Sequence, residues 1–248
     1  MPEIESLSVS SSMQSNAILR ELPPDELAIL ATHLKPVALL LHYIFTEPGQ
    51  EIRYCYFITS GMTSTVAVMQ DGSSAEIGVI GSEGLVGFTT MLGVGTSQNL
   101  TIMQVSGDGY RLEAEKLRSL AEELPHLRRA IDRFIWSSLG FYAQCAACNR
   151  FHTLEERLSR WLLTVRDRIQ ANGLPLTHEF LGQMLGAHRS TVTLALGVLE
   201  SNGVIQNSRG KIELIDLARL EQTSCECLQS IRKLPGFPAT AHNGHLSA

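Results

Sequence analysis

The stretch from Leu176 to Ile215 constrains the fold of this 248-residue chain more than any other part of the sequence. Thr177 precedes apolar residues at helical spacing and is suited to cap a helix, because its hydroxyl can accept a free backbone N–H. Gly186 can adopt the left-handed conformation that ends a helix, and a second helix fits Arg189 to Ser201. Two short strands joined by a turn at residues 207–210 follow. This order is typical of proteins that read double-stranded DNA.

Apolar residues occupy one face of both predicted helices, at positions Leu181, Leu185, Val192, Ala195, Leu196 and Leu199. Gly182 leaves room for the second helix to approach closely. The pattern resembles a winged helix-turn-helix. An ordinary helical hairpin followed by a β-hairpin is the alternative, but it explains neither the paired glycines nor the hairpin that would form the wing.

The charge of the chain is divided unevenly, although its formal sum is −5. Residues 1–149 contain 9 Lys and Arg against 16 Asp and Glu, whereas residues 150–219 contain 9 against 7. DNA attracts local positive charge rather than the sum over the chain. The surplus lies in the predicted DNA-reading part, but it is small, so we expect weak non-specific binding and a dependence on correct geometry.

Residues 37–110 contain short β-prone segments separated by turns, which favours a closed or rolled-up β domain. A long helix follows, in which one seam of side chains recurs in steps of four and three. The seam residues are Leu127, Ile131, Phe134, Ser138, Phe141, Cys145 and Cys148. A heptad seam needs a partner. We expect a second copy of the chain, because two-fold dimers are the commonest assembly; packing on the chain's own β domain is the alternative.

The order of β domain, long helix and winged helix-turn-helix resembles the Crp/Fnr family of bacterial transcription regulators. The resemblance implies an α+β fold, with a cyclic-nucleotide-binding-like β-roll at 21–124, a dimerisation helix at 125–150 and the winged helix-turn-helix at 151–220. We expect a disordered N-terminus at 1–20, which is acidic and Ser-rich, and a C-terminal tail at 221–248.

The resemblance also implies what such a chain does. We expect a homodimeric, non-enzymatic regulator that binds double-stranded DNA at an inverted-repeat operator, with RNA polymerase as a further partner. An unidentified signal would act at the β-roll or the dimer helix. The chain has no run of about 18 apolar residues that would cross a membrane, and we expect a cytoplasmic location.

The candidate DNA-binding residues lie in the two short helices and the wing, at Thr177, His178, Arg189, Ser190, Thr191, Thr193, Leu194, Arg209 and Lys211. Arg189 can reach a guanine edge, whereas Leu194 can meet only apolar groups such as a thymine methyl. Thr177, Arg209 and Lys211 are expected to contact phosphates and to carry little sequence information.

The sequence departs from the cyclic-nucleotide members of the family, which hold the nucleotide phosphate with an arginine. No Lys, Arg or His occurs between Arg53 and Arg111. A desolvated phosphate needs a charge partner, so we do not expect cyclic AMP to bind, and the small-molecule effector stays unknown. Glu83, the one acid in the matching loop at 81–101, is expected to be solvated.

The iron–sulfur members of the family have cysteines near the N-terminus, but here no cysteine precedes Cys55. Cys145 and Cys148 fall in the seam, where we expect them to pack as small apolar residues. The alternative is a thiol- or metal-responsive, redox-sensing regulator that uses Cys145 and Cys148. Cys225 and Cys227 could join them only if the C-terminus folds back.

We therefore assign no cofactor, no metal ligand and no catalytic residue from the sequence. An enzyme built on the β-roll would need clustered histidine and carboxylate ligands, and residues 54–110 contain no histidine.

Overall fold

The computed structural model describes residues 12–237, which form a β-roll, a long helix and a helix-rich C-terminal region around a small third sheet. The strands are β1 (Lys35–Leu39), β2 (Ile44–Thr46), β3 (Tyr54–Ile58), β4 (Met62–Val68), β5 (Ser74–Ile80), β6 (Leu85–Val86), β7 (Leu100–Val105), β8 (Gly107–Glu113), β9 (Gly173–Leu174), β10 (Ile205–Ser208) and β11 (Lys211–Leu214). The helices are α1 (Ala17–Arg20), α2 (Pro24–Ala31), α3 (Ala114–Glu123), α4 (Pro125–Phe151), α5 (Leu154–Ile169), α6 (His178–Leu185), α7 (Arg189–Ser201), α8 (Leu217–Thr223) and α9 (Cys227–Arg232).

Two four-stranded antiparallel sheets form the β-roll, in the orders β1-β8-β3-β6 and β2-β7-β4-β5. Phe57 of the first sheet and Met103 of the second are fully buried in the same core. The turn into β4 requires glycine, because Gly61 has a φ of +78° and a Cβ there would lie 2.4 Å from the carbonyl oxygen of Val105. The two sheets therefore close over one apolar interior, as the short β-prone segments predicted.

Residues 12–20 differ from the disordered N-terminus predicted for 1–20; residues 1–11 of that prediction lie outside the described residues. Asn16 caps α1 through Oδ1, and its amide donates to the carbonyls of Ile58 and Gly84 at 2.8 Å each. Ile18 and Leu19 are buried in the β-roll core. The polar composition concealed this anchor, because a single asparagine satisfies backbone groups of three segments.

The long helix α4 begins at a cap that comes from another part of the chain. The carboxylate of Glu26, on α2, accepts hydrogen bonds from the backbone N–H groups of His126 and Leu127, and from Nδ1 of His126 at 2.7 Å. An acid at this end satisfies free N–H donors and interacts favourably with the helix dipole. These bonds lower the pKa of Glu26 against the opposing effect of its burial.

The seam predicted as the dimer interface is buried within the chain itself. Its residues, Leu127, Ile131, Phe134, Ser138, Phe141, Cys145 and Cys148, are all buried in the single chain. The first three belong to the β-roll core, and Phe141 and Cys145 to the core shared with the C-terminal region. The assignment of this seam to a second copy was therefore wrong, because the β-roll and α5 offer the nearer apolar surface.

The C-terminal region begins with α5, whose N-terminus is closed by a capping box between Thr153 and Glu156. Trp161, on α5, is buried among the apolar faces of α6 and α7. Strands β10 and β11 form the predicted hairpin, and β9 adds a short third strand. No helix of the described residues combines the length and apolar character needed to cross a membrane.

The segment predicted as a tail from 221 folds back onto the helices before it. Leu228 and Ile231 of α9 are buried in the core of the C-terminal region. Arg232 forms ion pairs with Asp167 of α5 at 2.7 Å and with Glu221 at 2.6 Å. Asp167 is fully buried, so this pair fixes the end of the described chain against α5; residues 238–248 of the predicted tail lie outside the described residues.

Candidate DNA interface

The turn between α6 and α7 has the geometry that the paired glycines indicated. Gly186 ends α6 with a φ of +59°. A Cβ on Gly182 would lie 2.8 Å from the carbonyl oxygen of Ala187, so a larger residue would push the two helices apart. Arg157 of α5 donates to the carbonyl of Leu185 at 3.1 Å and so ties the end of α6 to α5. The spacing of α6 and α7 is therefore held by backbone contacts.

The N-terminus of α7 is the most exposed part of this unit. Arg189, Ser190 and Thr191 are all exposed, and Leu194 is 71% exposed one turn later. In the described residues Arg189 has no ion-pair partner. An arginine, two hydroxyls and an apolar tip on one helix end can contact base edges and a thymine methyl in a major groove.

His178 and Thr193, both predicted as DNA contacts, bond to each other in the structure. Nδ1 of His178 lies 2.9 Å from the hydroxyl of Thr193, which also donates to the carbonyl of Arg189 at 2.9 Å. Nε2 of His178 faces the side chain of Asn207, on the wing, at 2.9 Å. His178 thus links α6, α7 and β10. Sequence reasoning missed Asn207, since only the folded hairpin brings it there.

The predicted phosphate contacts are placed at three separate points. The hydroxyl of Thr177 accepts from the backbone N–H of Phe180 at 3.1 Å and caps α6. Arg209 is exposed in the wing turn. Lys211 pairs with Glu213 at 2.8 Å, with both side chains partly exposed. Of these three side chains, Arg209 is the one without a hydrogen bond or ion pair within residues 12–237.

Two carboxylates of the β-roll contact the helix that carries the DNA-reading unit. Glu76, on β5, accepts from Ser64 at 2.6 Å and from the indole N–H of Trp161 at 2.8 Å. Burial raises the pKa of Glu76 to about 7, against the lowering effect of these hydrogen bonds. No local sequence pattern indicates Glu76, because its partners Ser64 and Trp161 are 12 and 85 residues away.

Glu83 is the second of these carboxylates, and its expected solvated state was wrong. It pairs with Arg168 of α5 at 2.7 Å, and the side chains of Arg168 and Glu83 are only 2% and 8% exposed. The guanidinium also lies over the rings of Phe141 and Phe237. The sequence does contain one signal for this pair. Arg168 is a basic residue on an otherwise apolar face of α5, and a basic residue at such a position indicates an acidic partner.

The β-roll contains a cavity of about 240 Å³ between its second sheet, the segment 86–99 and Tyr142 of α4. Its polar lining consists of hydroxyls and amides, at Thr46, Thr65, Thr89, Thr96, Ser97, Gln98, Asn99, Thr101 and Tyr142. Neither Glu83 nor any basic side chain lines it. The cavity therefore offers hydrogen bonds but no ionic partner.

Cys145 and Cys148, which the sequence treated as a pair, belong to different surroundings. Cys145 packs in the apolar core beside Phe141, where burial raises the pKa of its thiol to about 11. Cys148 lies in a small buried group with Cys225 and Cys227. The C-terminus does fold back, which is the condition for the tail cysteines to reach the long helix.

Known proteins resemble this chain both in sequence and in fold. Residues 156–223 match the Crp-like helix-turn-helix domain. A CRP-like cAMP-activated global transcriptional regulator of Mycobacterium tuberculosis is 25% identical over 82% of this chain and 94% of its own length. The transcriptional activator protein FnrA of Stutzerimonas stutzeri is 25% identical over 68% of this chain and 71% of its own.

The fold comparison agrees with the sequence matches. A transcriptional regulator of the Crp/Fnr family from Eubacterium rectale superposes with a TM-score of 0.67, at 18% identity, over 85% of this chain and 98% of that one. The α+β architecture predicted from the sequence is confirmed. Together, these findings show a Crp-like helix-turn-helix domain in a chain that is similar in sequence and in fold to DNA-binding transcription regulators of the Crp/Fnr family.

Proposed function

We propose that this chain acts in the cytoplasm as a homodimer and binds an inverted-repeat operator through the N-terminus of α7. The observation that carries the proposal is the exposed set Arg189, Ser190, Thr191 and Leu194 on a helix whose position is fixed by the glycine turn. Such a dimer acts on transcription by positioning or blocking RNA polymerase, without chemistry of its own.

Arg189 is the residue that sets base preference in this proposal. Its guanidinium is free of ion pairs in the described chain, and a bidentate contact with guanine contributes about 1–3 kcal/mol of discrimination. Leu194, one turn further along α7, favours a thymine methyl. Lys211 and Arg209 contact phosphates; the pairing of Lys211 with Glu213 must be broken or shared when the wing meets DNA.

The dimer is proposed to form on the outer face of α4, since the seam predicted first is covered by the chain itself. Trp136 and Leu139 are 61% and 59% exposed, and Ala143 and Ala146 continue the same exposed stripe. These positions are three, four and three residues apart, the spacing of a two-helix seam. A second copy of α4 fits this stripe, because the two alanines allow a partner helix to come close.

The operator is tested by selecting binding sequences from a random DNA pool. The expected site is an inverted repeat whose half-sites lie about one helical turn apart, because the two α7 helices enter successive major grooves. Arg189→Ala should relax preference at one base pair per half-site. Lys211→Ala, the matched control, should weaken all sequences alike and lower the salt slope by about one.

Two results would contradict this docking. One is a selected site without two-fold symmetry. The other is an Arg189→Ala protein that keeps the wild-type preference at every position.

The dimer is tested by sedimentation of a Trp136→Asp, Leu139→Asp double variant. Burying two carboxylates between the exposed stripes of two α4 helices should give monomers with greatly weakened operator binding. A Leu40→Asp, Leu41→Asp double variant, which places the same two charges at other exposed leucines, should remain dimeric. A double variant that sediments like the wild type would place the interface elsewhere.

The cavity of the β-roll is proposed to take no cyclic nucleotide, in contrast to the cAMP-activated relative. Cyclic AMP carries a phosphate that needs a cation once it is desolvated, and the cavity lining contains none. A small uncharged molecule with hydrogen-bonding groups is the class of effector that this lining can bind.

A further inference from the structure

Four potential metal ligands meet at the end of the long helix. Cys148 lies in the last turn of α4, and His152 is its C-cap. Cys225 and Cys227 stand just before and at the start of α9. One ligand atom of each side chain lies within 4.8 Å of all the others. No metal ligand was predicted from the sequence, because only the folded C-terminus brings Cys225 and Cys227 to Cys148 and His152.

The distances within this group match a single ion rather than a larger cluster. Cys148 Sγ and Cys225 Sγ are 3.5 Å apart, and Cys227 Sγ lies 3.6 Å from Nδ1 of His152. In a tetrahedral zinc site with bonds of about 2.3 Å to sulfur, neighbouring sulfurs stand about 3.8 Å apart. Three sulfurs and one imidazole are a ligand set that selects zinc among the common divalent ions.

The residues around the group are those that support a zinc site. Nε2 of His152, the nitrogen turned away from the cysteines, lies 3.1 Å from a carboxylate oxygen of Glu226. A carboxylate behind a ligating histidine fixes its tautomer and ring orientation. Gln144 donates from its amide to Cys227 Sγ at 3.0 Å, a bond that stabilises a thiolate.

A buried cation balances the charge of such a centre. Arg160, on α5, is 4% exposed, and within residues 12–237 its guanidinium lies near no carboxylate at ion-pair distance. Three thiolates and one divalent ion have a net charge of −1. Nη1 of Arg160 lies 3.9 Å from Sγ of Cys145, one turn before Cys148 on α4, and its positive charge acts on Cys148 and Cys225.

We propose that Cys148, His152, Cys225 and Cys227 bind one zinc ion, which fastens α9 to the end of α4. The three cysteines form a buried group separate from the two large apolar cores, so they add little to either. An ion at this place joins segments about 75 residues apart, at the junction of the long helix and the DNA-reading unit. The site is independent of the operator and of the dimer proposed above.

The first test is metal analysis of the full-length protein, purified without chelator under reducing conditions. We expect one zinc per chain. Chelator-stripped, reduced protein should bind one Co²⁺ per chain and show the charge-transfer absorption of thiolate-bound Co²⁺ with the visible bands of tetrahedral geometry. Zinc should displace the cobalt and abolish both signals.

Variants then identify the ligands. Cys227→Ser and His152→Ala should retain less than a tenth of the metal, and His152→Cys should retain it with a stronger thiolate band. Cys145→Ala is the matched control, because it removes a buried cysteine of the same helix that is outside the group, and it should bind one zinc. Far-UV circular dichroism of each variant checks that the helices persist.

Three results would overturn the assignment. The first is failure of the reduced wild-type chain to bind Co²⁺, a measurement that does not depend on any variant. The second is full metal content in both Cys227→Ser and His152→Ala. The third is iron with inorganic sulfide in anaerobically purified protein, because that would make the group a cluster site.

Discussion

Replacing Glu76 by glutamine should stabilise the protein, and the gain should grow with pH. Glu76 is held between Ser64 and Trp161 at the joint of the β-roll and α5. Burial raises its pKa from 4.5 to about 7, although Arg160 and Arg168 of α5 partly oppose the shift. The native protein therefore holds the proton more tightly than the unfolded chain, and the ionised form costs stability.

The size of the effect follows from linkage. A rise from 4.5 to about 7 in the pKa makes ionised Glu76 unfavourable by about 3 kcal/mol at pH 8, but by about 1 kcal/mol at pH 5. The cost is absent well below pH 4.5, increases through the window between the two pKa values, and is constant above it. Glutamine keeps an acceptor for the indole N–H of Trp161 and has no charge to desolvate.

The assay is urea unfolding of wild type and Glu76→Gln at pH 5, 6, 7 and 8. We expect the difference in unfolding free energy to rise by about 2 kcal/mol across this range. Glu115→Gln is the matched control, since the Glu115 side chain is 91% exposed; it should change the unfolding free energy by less than about 0.5 kcal/mol at every pH. Two results would refute the burial argument. One is an increase in unfolding free energy from Glu76→Gln that is the same at all four pH values. The other is a decrease that becomes larger as the pH rises.

Three other predictions follow from buried contacts and open space. Glu83→Ala leaves Arg168 buried without its partner and should lower the unfolding free energy by about 3–5 kcal/mol in thermal or urea denaturation; a loss below about 1 kcal/mol would contradict the buried pair. Gly182→Ala should destabilise the chain and weaken operator binding, because its Cβ would lie 2.8 Å from a carbonyl oxygen. Gly197→Ala, in α7 with open space around it, should stabilise by about 0.5–1 kcal/mol, and the opposite order of the two variants would refute the close-contact argument. Calorimetry with cyclic AMP should show no binding at micromolar concentrations, and a measurable heat of binding would end the charge argument for the cavity.

The sequence predicted the DNA-reading unit well, because its signals are local. The signals each act within a few residues: α6 is capped by Thr177, the next helix approaches closely at Gly182, and the left-handed turn lies at Gly186. The same holds for the heptad spacing of α4, which predicted a long helix correctly. Local spacing determines a helix and its apolar face, so these features could be recognised without the structure.

The sequence could not tell which surface covers that apolar face. Phe134 and Phe141 have the spacing of a dimer seam, yet they pack on the chain itself, while Trp136 and Leu139 remain exposed. A helix with apolar residues on two faces fits either assignment until the neighbouring elements are placed. Glu83 shows the same limit, since its partner Arg168 lies 85 residues away in the sequence.

Helix α5 contacts the β-roll, the C-terminal helices and the DNA-reading helices α6 and α7. On α5, Trp161 donates to Glu76 of the β-roll, and Arg168 donates to Glu83 of the β-roll. Asp167 pairs with Arg232 of the C-terminal helix α9, and Arg160 donates to Sγ of Cys145 on α4 at 3.9 Å. Arg157 of α5 also holds the end of α6. A displacement of the β-roll or of the C-terminal helix therefore has two possible outcomes. It breaks a buried charged contact with α5, or it moves α5 and the DNA-reading helices together. A signal that displaces the β-roll or the C-terminal helix can therefore be transmitted to α7 through α5.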